Sequence, residues 1–152
     1  MSARESRTGA SVRDRSRARA WIIQILYGWE ALNRAVPLAA VLETTLATRK
    51  IAPAREPYIR RVLEQLASHP DEVDRKLQDV LENWRLERLS SLDRQVLRLG
   101  AVEILYFADI PPRVSIQEAI RLAEKYGGDE SVRFVNGVLD ALLKRTESLS
   151  ES

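Results

Sequence analysis

The chain has 152 residues, 45% of them apolar, no cysteine and a formal net charge of +2. That length suits one domain or two small subdomains sharing a core, and the lack of cysteine excludes a disulfide framework and thiolate metal sites and fits a reducing cytoplasm. No apolar run approaches the roughly 18 residues of a membrane helix, and the stretch from Trp21 to Tyr27, broken by Gln24, is too short for a signal-peptide core. The small net charge hides an asymmetry. Residues 1–20 hold six arginines against Glu5 and Asp14, a balance of +4, and the remainder carries −2. A localised basic segment on a near-neutral body points to an anionic partner at that end. All six bases are arginine, whose planar fork can give a phosphate two hydrogen bonds at once.

Residues 1–12, rich in Ser, Ala and Gly, are predicted to be a disordered basic tail. A first helix is predicted over residues 14–32, where Ala18, Trp21, Ile22, Ile25, Leu26, Trp29 and Leu32 recur at helical period. A second follows Pro37 to about Thr48, carrying Leu38, Val41, Leu42 and Leu46. After a loop, Pro57 sits in a first turn that tolerates proline, and Tyr58, Ile59, Val62, Leu63 and Leu66 continue a third helix. His69-Pro70 interrupts it, and a fourth helix carries Val73, Leu77, Val80 and Leu81. Residues 83–89 read as a connection anchored by Trp84 and Leu86. Ser90 or Ser91 caps a fifth helix, residues 92–107, with Asp93 suited to its positive end. Val96, Leu97, Leu99, Val102, Ile104 and Leu105 make that helix apolar on much of its circumference, as expected of a central helix. Asp109-Ile110-Pro111-Pro112 ends it. Ser115-Ile116-Gln117-Glu118 has the form of a capping box opening a sixth helix, which stops at Gly127-Gly128. Asp129 caps a seventh, running to about Lys144 or Arg145, and a polar tail frays from Thr146. No run alternates convincingly, so the expected fold is all-α, about seven helices within one domain over residues 13–145.

The seventh helix breaks two rules side by side. Val132, Val135, Leu139, Leu142 and Leu143 form one apolar face, and Asn136 falls inside it. Gly137 follows, at a cost of roughly 1 kcal/mol against alanine in a helix interior. The packing explanation is that Asn136 satisfies a buried backbone group while Gly137 lets another helix approach.

Catalytic chemistry finds no support. The one histidine, His69, precedes a proline in an apparent turn, and Gly127-Gly128 lacks the spacing of a phosphate loop. Carboxylates lie among bases at helical spacing, as at Glu82, Arg85 and Arg88, which reads as a solvated face. No catalytic residue, metal or cofactor is expected. Binding is better supported. Arg15, Arg19, Ile23 and Tyr27 are spaced by four and form a slanting row, with Arg13, Arg17 and Gln24 as nearby donors. Guanidinium groups neutralise phosphates, and an exposed ring stacks on an unpaired base. From the residues alone RNA, DNA, a protein and a membrane surface all remain open as partners. Trp21, Trp29 and Trp84 are expected in the core. Phe134 lies beside the main stripe, either packed under a neighbouring helix or partly exposed.

Taken in order, these segments resemble the NusB family of bacterial transcription antitermination factors. Arg17-Ala18-Arg19-Ala20 leading to Gln24-Ile25-Leu26-Tyr27 is similar to the family's arginine-rich start and its Gln-x-Leu-Tyr signature. Asn83-Trp84-Arg85-Leu86-Glu87-Arg88-Leu89, then Leu92-Asp93-Arg94 and Leu97-Arg98-Leu99, resembles its middle. Ile116-Gln117-Glu118-Ala119-Ile120 and Phe134-Val135-Asn136-Gly137-Val138-Leu139-Asp140 resemble its end. The likeness runs from about Arg15 to Lys144. It implies two packed helical subdomains, binding to the single-stranded boxA element of nascent ribosomal RNA transcripts, and a heterodimer with ribosomal protein NusE within an antitermination complex on RNA polymerase. It also implies that Arg15, Arg17, Arg19, Tyr27 and Phe134 approach RNA, that Glu130 influences the binding, and that Asn136 and Gly137 are a structural motif. Asp14 and Ser16 interrupt the basic start where related chains carry denser arginine. Two alternatives stay open: the NusB-like part of a ribosomal RNA cytosine methyltransferase, and a helical scaffold, such as a homodimer, that binds only protein.

Overall fold

A computed structural model describes the backbone of residues 3–151 and the side chains of residues 12–150. Among the described residues there are seven α-helices and no strand: α1 (Ala3–Ala31), α2 (Leu38–Thr48), α3 (Glu56–Ser68), α4 (Glu72–Val80), α5 (Ser91–Tyr106), α6 (Pro112–Tyr126) and α7 (Asp129–Glu151). Short 3₁₀ turns, Pro53–Arg55 and Leu86–Arg88, precede α3 and α5. The chain divides into two compact units, residues 1–67 and 68–152. The all-α class expected from the sequence is the one observed. The side chains of most of the segment expected to be disordered lie outside the described residues, although the backbone is helical from Ala3, well ahead of the expected start near Asp14.

In the first unit α1 packs on α2 and on the 3₁₀ turn Pro53–Arg55. Its inward stripe is Ala18, Ile22, Ile25 and Leu26, all fully buried or nearly so. Each such aliphatic side chain contributes about 1.5–3 kcal/mol by leaving water. The helix ends where Asn33 and Arg34 turn left-handed, at φ 54° and 58°. Trp29 holds that turn: its Nε1–H donates to the Val36 carbonyl at 2.9 Å, and the Arg34 guanidinium lies 4.7 Å from the ring centre. Leu32, expected to close the apolar stripe, lies past the helix end and is exposed.

In the second unit α5 is the central helix, packed on α4, α6 and α7. It is buried without a break from Gln95 to Glu103. Ser90 caps it, accepting a hydrogen bond from the Asp93 N–H at 3.2 Å. Two of its buried polar side chains, Arg98 and Glu103, are matched. Arg98, only 4% exposed, donates to both carboxylate oxygens of Asp74 at 2.9 and 3.0 Å and to Gln95 Oε1 at 3.1 Å. Glu103 Oε1 accepts from the Ser115 hydroxyl at 2.7 Å.

That last bond corrects the capping-box expectation. α6 begins at Pro112, so Ser115 lies inside the helix and serves a buried carboxylate of α5. Proline needs no partner for a missing N–H in a first turn, which lets the helix open at Pro111-Pro112. α7 also outruns its expected end. It continues through the polar tail to Glu151, where the hydroxyls of Thr146 and Ser150 donate to the carbonyls of Leu142 and Glu147.

The reading of Asn136 and Gly137 as packing residues is overturned. Both are exposed, and a Cβ built on Gly137 meets no atom within 4 Å. The close approach of helices falls instead at Gly100 of α5, where a Cβ would lie 2.6 Å from Cδ1 of Leu139 on α7. The apolar face of α7 is Val135, Val138, Leu139, Leu142 and Leu143. This stripe is narrow enough to leave Asn136 to solvent.

Candidate nucleic-acid interface

The arginine-rich helix α1 does not present the row that its four-residue spacing predicted. Arg19 is 3% exposed and Ile23 is buried, while Arg15 is half-buried. The guanidinium groups of Arg15 and Arg19 both sit 5.4 Å from the ring centre of Tyr58 on α3. Tyr58 was legible only as a core residue, and nothing in its local pattern marked it as the ring that holds two arginines. The outward face of α1 is Arg13, Arg17, Gln24 and Tyr27, all exposed. These steps of 4, 7 and 3 follow the 3.6-residue helical period, whereas repeated steps of four drift around the helix into the core. Tyr27 is 58% exposed, a flat ring with the donors of Gln24 one turn before it. Asp14, the acid that interrupts the basic run, pairs with Arg55 at 3.4 Å.

The second unit holds the remaining expected contacts. Glu130 is exposed in the first turn of α7 and Phe134, one turn on, is half-buried. Phe134 is only partly covered. Its ring and that of Trp84 form a T-shaped pair, with centres 6.1 Å apart and planes at 74°. Trp84 itself corrects the sequence reading: it is 60% exposed, and Leu86 alone of the two expected anchors is buried. The neighbours Glu82, Asn83 and Arg85 are all polar, a signal that this ring belongs to no apolar stripe. Gln78 fixes the connection, since its amide donates to the Trp84 carbonyl at 2.7 Å and accepts from the Leu86 N–H at 2.9 Å. Arg94 donates to the Leu89 carbonyl at 2.6 Å from the other side. Beside the two rings runs an open groove of about 430 Å³, lined by Arg133, Gly137 and Val138 among others.

His69 is not an isolated surface residue. Its ring stacks on Tyr106 at 4.4 Å and 11°, and its Nδ1 lies 3.2 Å from Glu72. Burial, and then the adjacent Glu72 carboxylate, push the Tyr106 phenol up to about 12. The group is a packed aromatic cluster beside a carboxylate. Among the described residues no set of three or more His, Asp or Glu side chains could hold a metal ion. No helix there is long and apolar enough to cross a membrane.

Residues 16–144 match the profile of the NusB family. The transcription antitermination protein NusB of Methylacidiphilum infernorum is 38% identical over 130 residues, covering 86% of this chain and 90% of that protein. A crystal form of NusB from T. maritima superposes with a TM-score of 0.75 at 37% identity, over 86% of this chain and 90% of that one. A crystal structure of antitermination factors NusB and NusE in complex with double-stranded RNA matches with a TM-score of 0.75 at 26% identity, over 88% and 98% of the two chains. An arginine-led α1, a central α5 buried on all sides and a profile spanning both units converge on one conclusion: the chain belongs to the NusB family.

Proposed function

We propose that this chain is a non-enzymatic transcription antitermination factor. In this reading it binds the single-stranded boxA element of nascent ribosomal RNA transcripts together with ribosomal protein NusE. It acts in the cytoplasm, within an antitermination complex on RNA polymerase, suppressing premature termination and aiding ribosomal RNA synthesis. It needs no cofactor. The observation that carries the reading is the exposed row Arg13, Arg17, Gln24 and Tyr27 on α1. It puts fixed positive charge, amide donors and an accessible ring along one helix face, the combination used on unpaired RNA. A solved relative held with NusE and double-stranded RNA supports NusE and RNA as partner classes.

The division of labour follows from burial. Arg13 and Arg17 contact phosphates, and Tyr27 stacks on a base. Arg15 and Arg19, close to Tyr58, add charge behind that face and fix its shape. On α7 Phe134 offers a second ring, and Glu130 one turn away influences the binding through its charge. Asn136 and Gly137 lie on the exposed side of the same helix.

Filter binding with boxA RNA and a scrambled control tests the RNA reading, and a pull-down with NusE, with and without that RNA, tests the assembly. Selective retention of boxA and RNA-enhanced capture of NusE are expected. Equal retention of both RNAs would leave only nonspecific electrostatics and overturn the selective function.

A further inference from the structure

We propose that Trp84, together with Phe134 and the bare backbone at Gly137, forms a stacking position for one unpaired RNA base, preset by the side chain of Gln78. The proposal rests on the RNA-binding reading and adds residues to it. Three observations within the second unit carry it.

The first is that Trp84 is exposed by construction. An indole left to solvent forgoes the burial that usually pays for its size. Here the backbone that leads out of Trp84 is pinned: Gln78 donates to the Trp84 carbonyl at 2.7 Å and accepts from the Leu86 N–H at 2.9 Å. A ring on a clamped connection loses little further freedom when a ligand covers it.

The second is the glycine. Gly137 is interior to α7, where glycine weakens the helix. Inside this chain nothing gains from that weakening, because a Cβ at 137 would meet no atom within 4 Å. The missing side chain keeps open the floor of the groove that Trp84 and Phe134 border.

The third is the shape and charge of the rim. Trp84 and Phe134 meet at 74°, so they cannot stack on each other, and Trp84, 60% exposed, keeps ring surface open to a third planar group. Arg133 is exposed in the lining and suits the phosphate attached to a stacked base. Arg85, also exposed, lies 3.6 Å from Glu87, and Glu82 lines the groove, so the basic charge is local rather than general. A flat apolar face beside one available cation fits a nucleotide better than an aliphatic or acidic peptide.

The test uses the full chain with a fluorescein-labelled boxA RNA, read by anisotropy, and with its protein partner alone. Trp84→Ala and Gly137→Leu are compared with wild type, each checked for an unchanged helical circular dichroism spectrum and melt. Trp84→Ala is expected to weaken RNA binding about tenfold, and Gly137→Leu to weaken it similarly by filling the floor. Trp84→Phe retains most of the affinity. Gln78→Ala, a change in a positioning residue, gives a smaller loss that an abasic RNA at the stacked position does not show. Tryptophan fluorescence quenched by RNA in wild type loses most of its change in Trp84→Phe. Wild-type RNA affinity with both Trp84→Ala and Gly137→Leu unchanged within twofold overturns the inference and leaves the RNA function standing. Loss of partner binding with RNA affinity intact overturns it in favour of a protein contact. Failure of the wild-type chain to bind RNA overturns the RNA reading itself.

Discussion

The same substitution, glycine to alanine, should move stability in opposite directions at two helix-interior positions. At Gly100 a new Cβ would stand 2.6 Å from Cδ1 and 3.1 Å from Cδ2 of Leu139. Ordinary carbon contacts lie at about 3.5–4.0 Å, so the leucine must retreat by roughly an ångström. Leu139 is 0% exposed and has no solvent to retreat into. Overpacking of that kind costs about 1–3 kcal/mol, against a gain of about 1 kcal/mol from helix propensity, a net loss near 1 kcal/mol. At Gly137 the Cβ enters open space, and only the propensity gain remains, about 1 kcal/mol. The two variants should therefore differ by about 2 kcal/mol, or about 4–8 °C in Tm for a chain of this size. Urea unfolding followed by circular dichroism measures it, with unchanged m-values required before midpoints are compared. Gly100→Ala matching Gly137→Ala in stability would refute the close approach of α5 and α7 at this point.

Four further outcomes are expected. Replacing Arg13 and Arg17 together by alanine should reduce the slope of log affinity against log salt by about 1.4, at roughly 0.7 per phosphate contact on a single strand; a filter-binding salt titration reads it, and an unchanged slope removes those contacts. Asp74→Ala leaves the buried Arg98 guanidinium without its bidentate partner, and urea unfolding should register a loss of about 3 kcal/mol. The raised Tyr106 phenol contributes stability that is complete below its ordinary value near pH 10 and is lost as pH rises through about 12. Tyr106→Phe should therefore flatten the decline of Tm with pH over that window, and an identical decline in both proteins would refute the assignment. Ser115→Ala removes the hydroxyl that donates to the buried Glu103 carboxylate, a loss of about 1–3 kcal/mol, whereas a helix-cap role would predict a change confined to the first turn of α6 in hydrogen exchange.

Periodicity and punctuation determined the helices. Where apolar residues recur every three or four positions between prolines and glycines, local sterics and one buried face leave no competing structure, and the seven expected helices are the seven observed among the described residues. Order and spacing of the motifs also sufficed to indicate the family, because a linear signature survives without coordinates. Tertiary structure decided which side chains face outward. A four-residue spacing on α1 joined Arg15, Arg19, Ile23 and Tyr27 into one row, but the true period turns Arg19 and Ile23 into the core and leaves Arg13, Arg17, Gln24 and Tyr27 outside. Asn136 looked buried because the apolar stripe of α7 was drawn too wide. Trp84 looked buried because large apolar rings usually are. Its exposure depends on Gln78 eight residues from the Leu86 N–H it accepts from, and on a phenylalanine of α7 that no local pattern connects to it. Burial is a property of what lies opposite. The sequence states which residues share a helix, and only packing shows what each one meets.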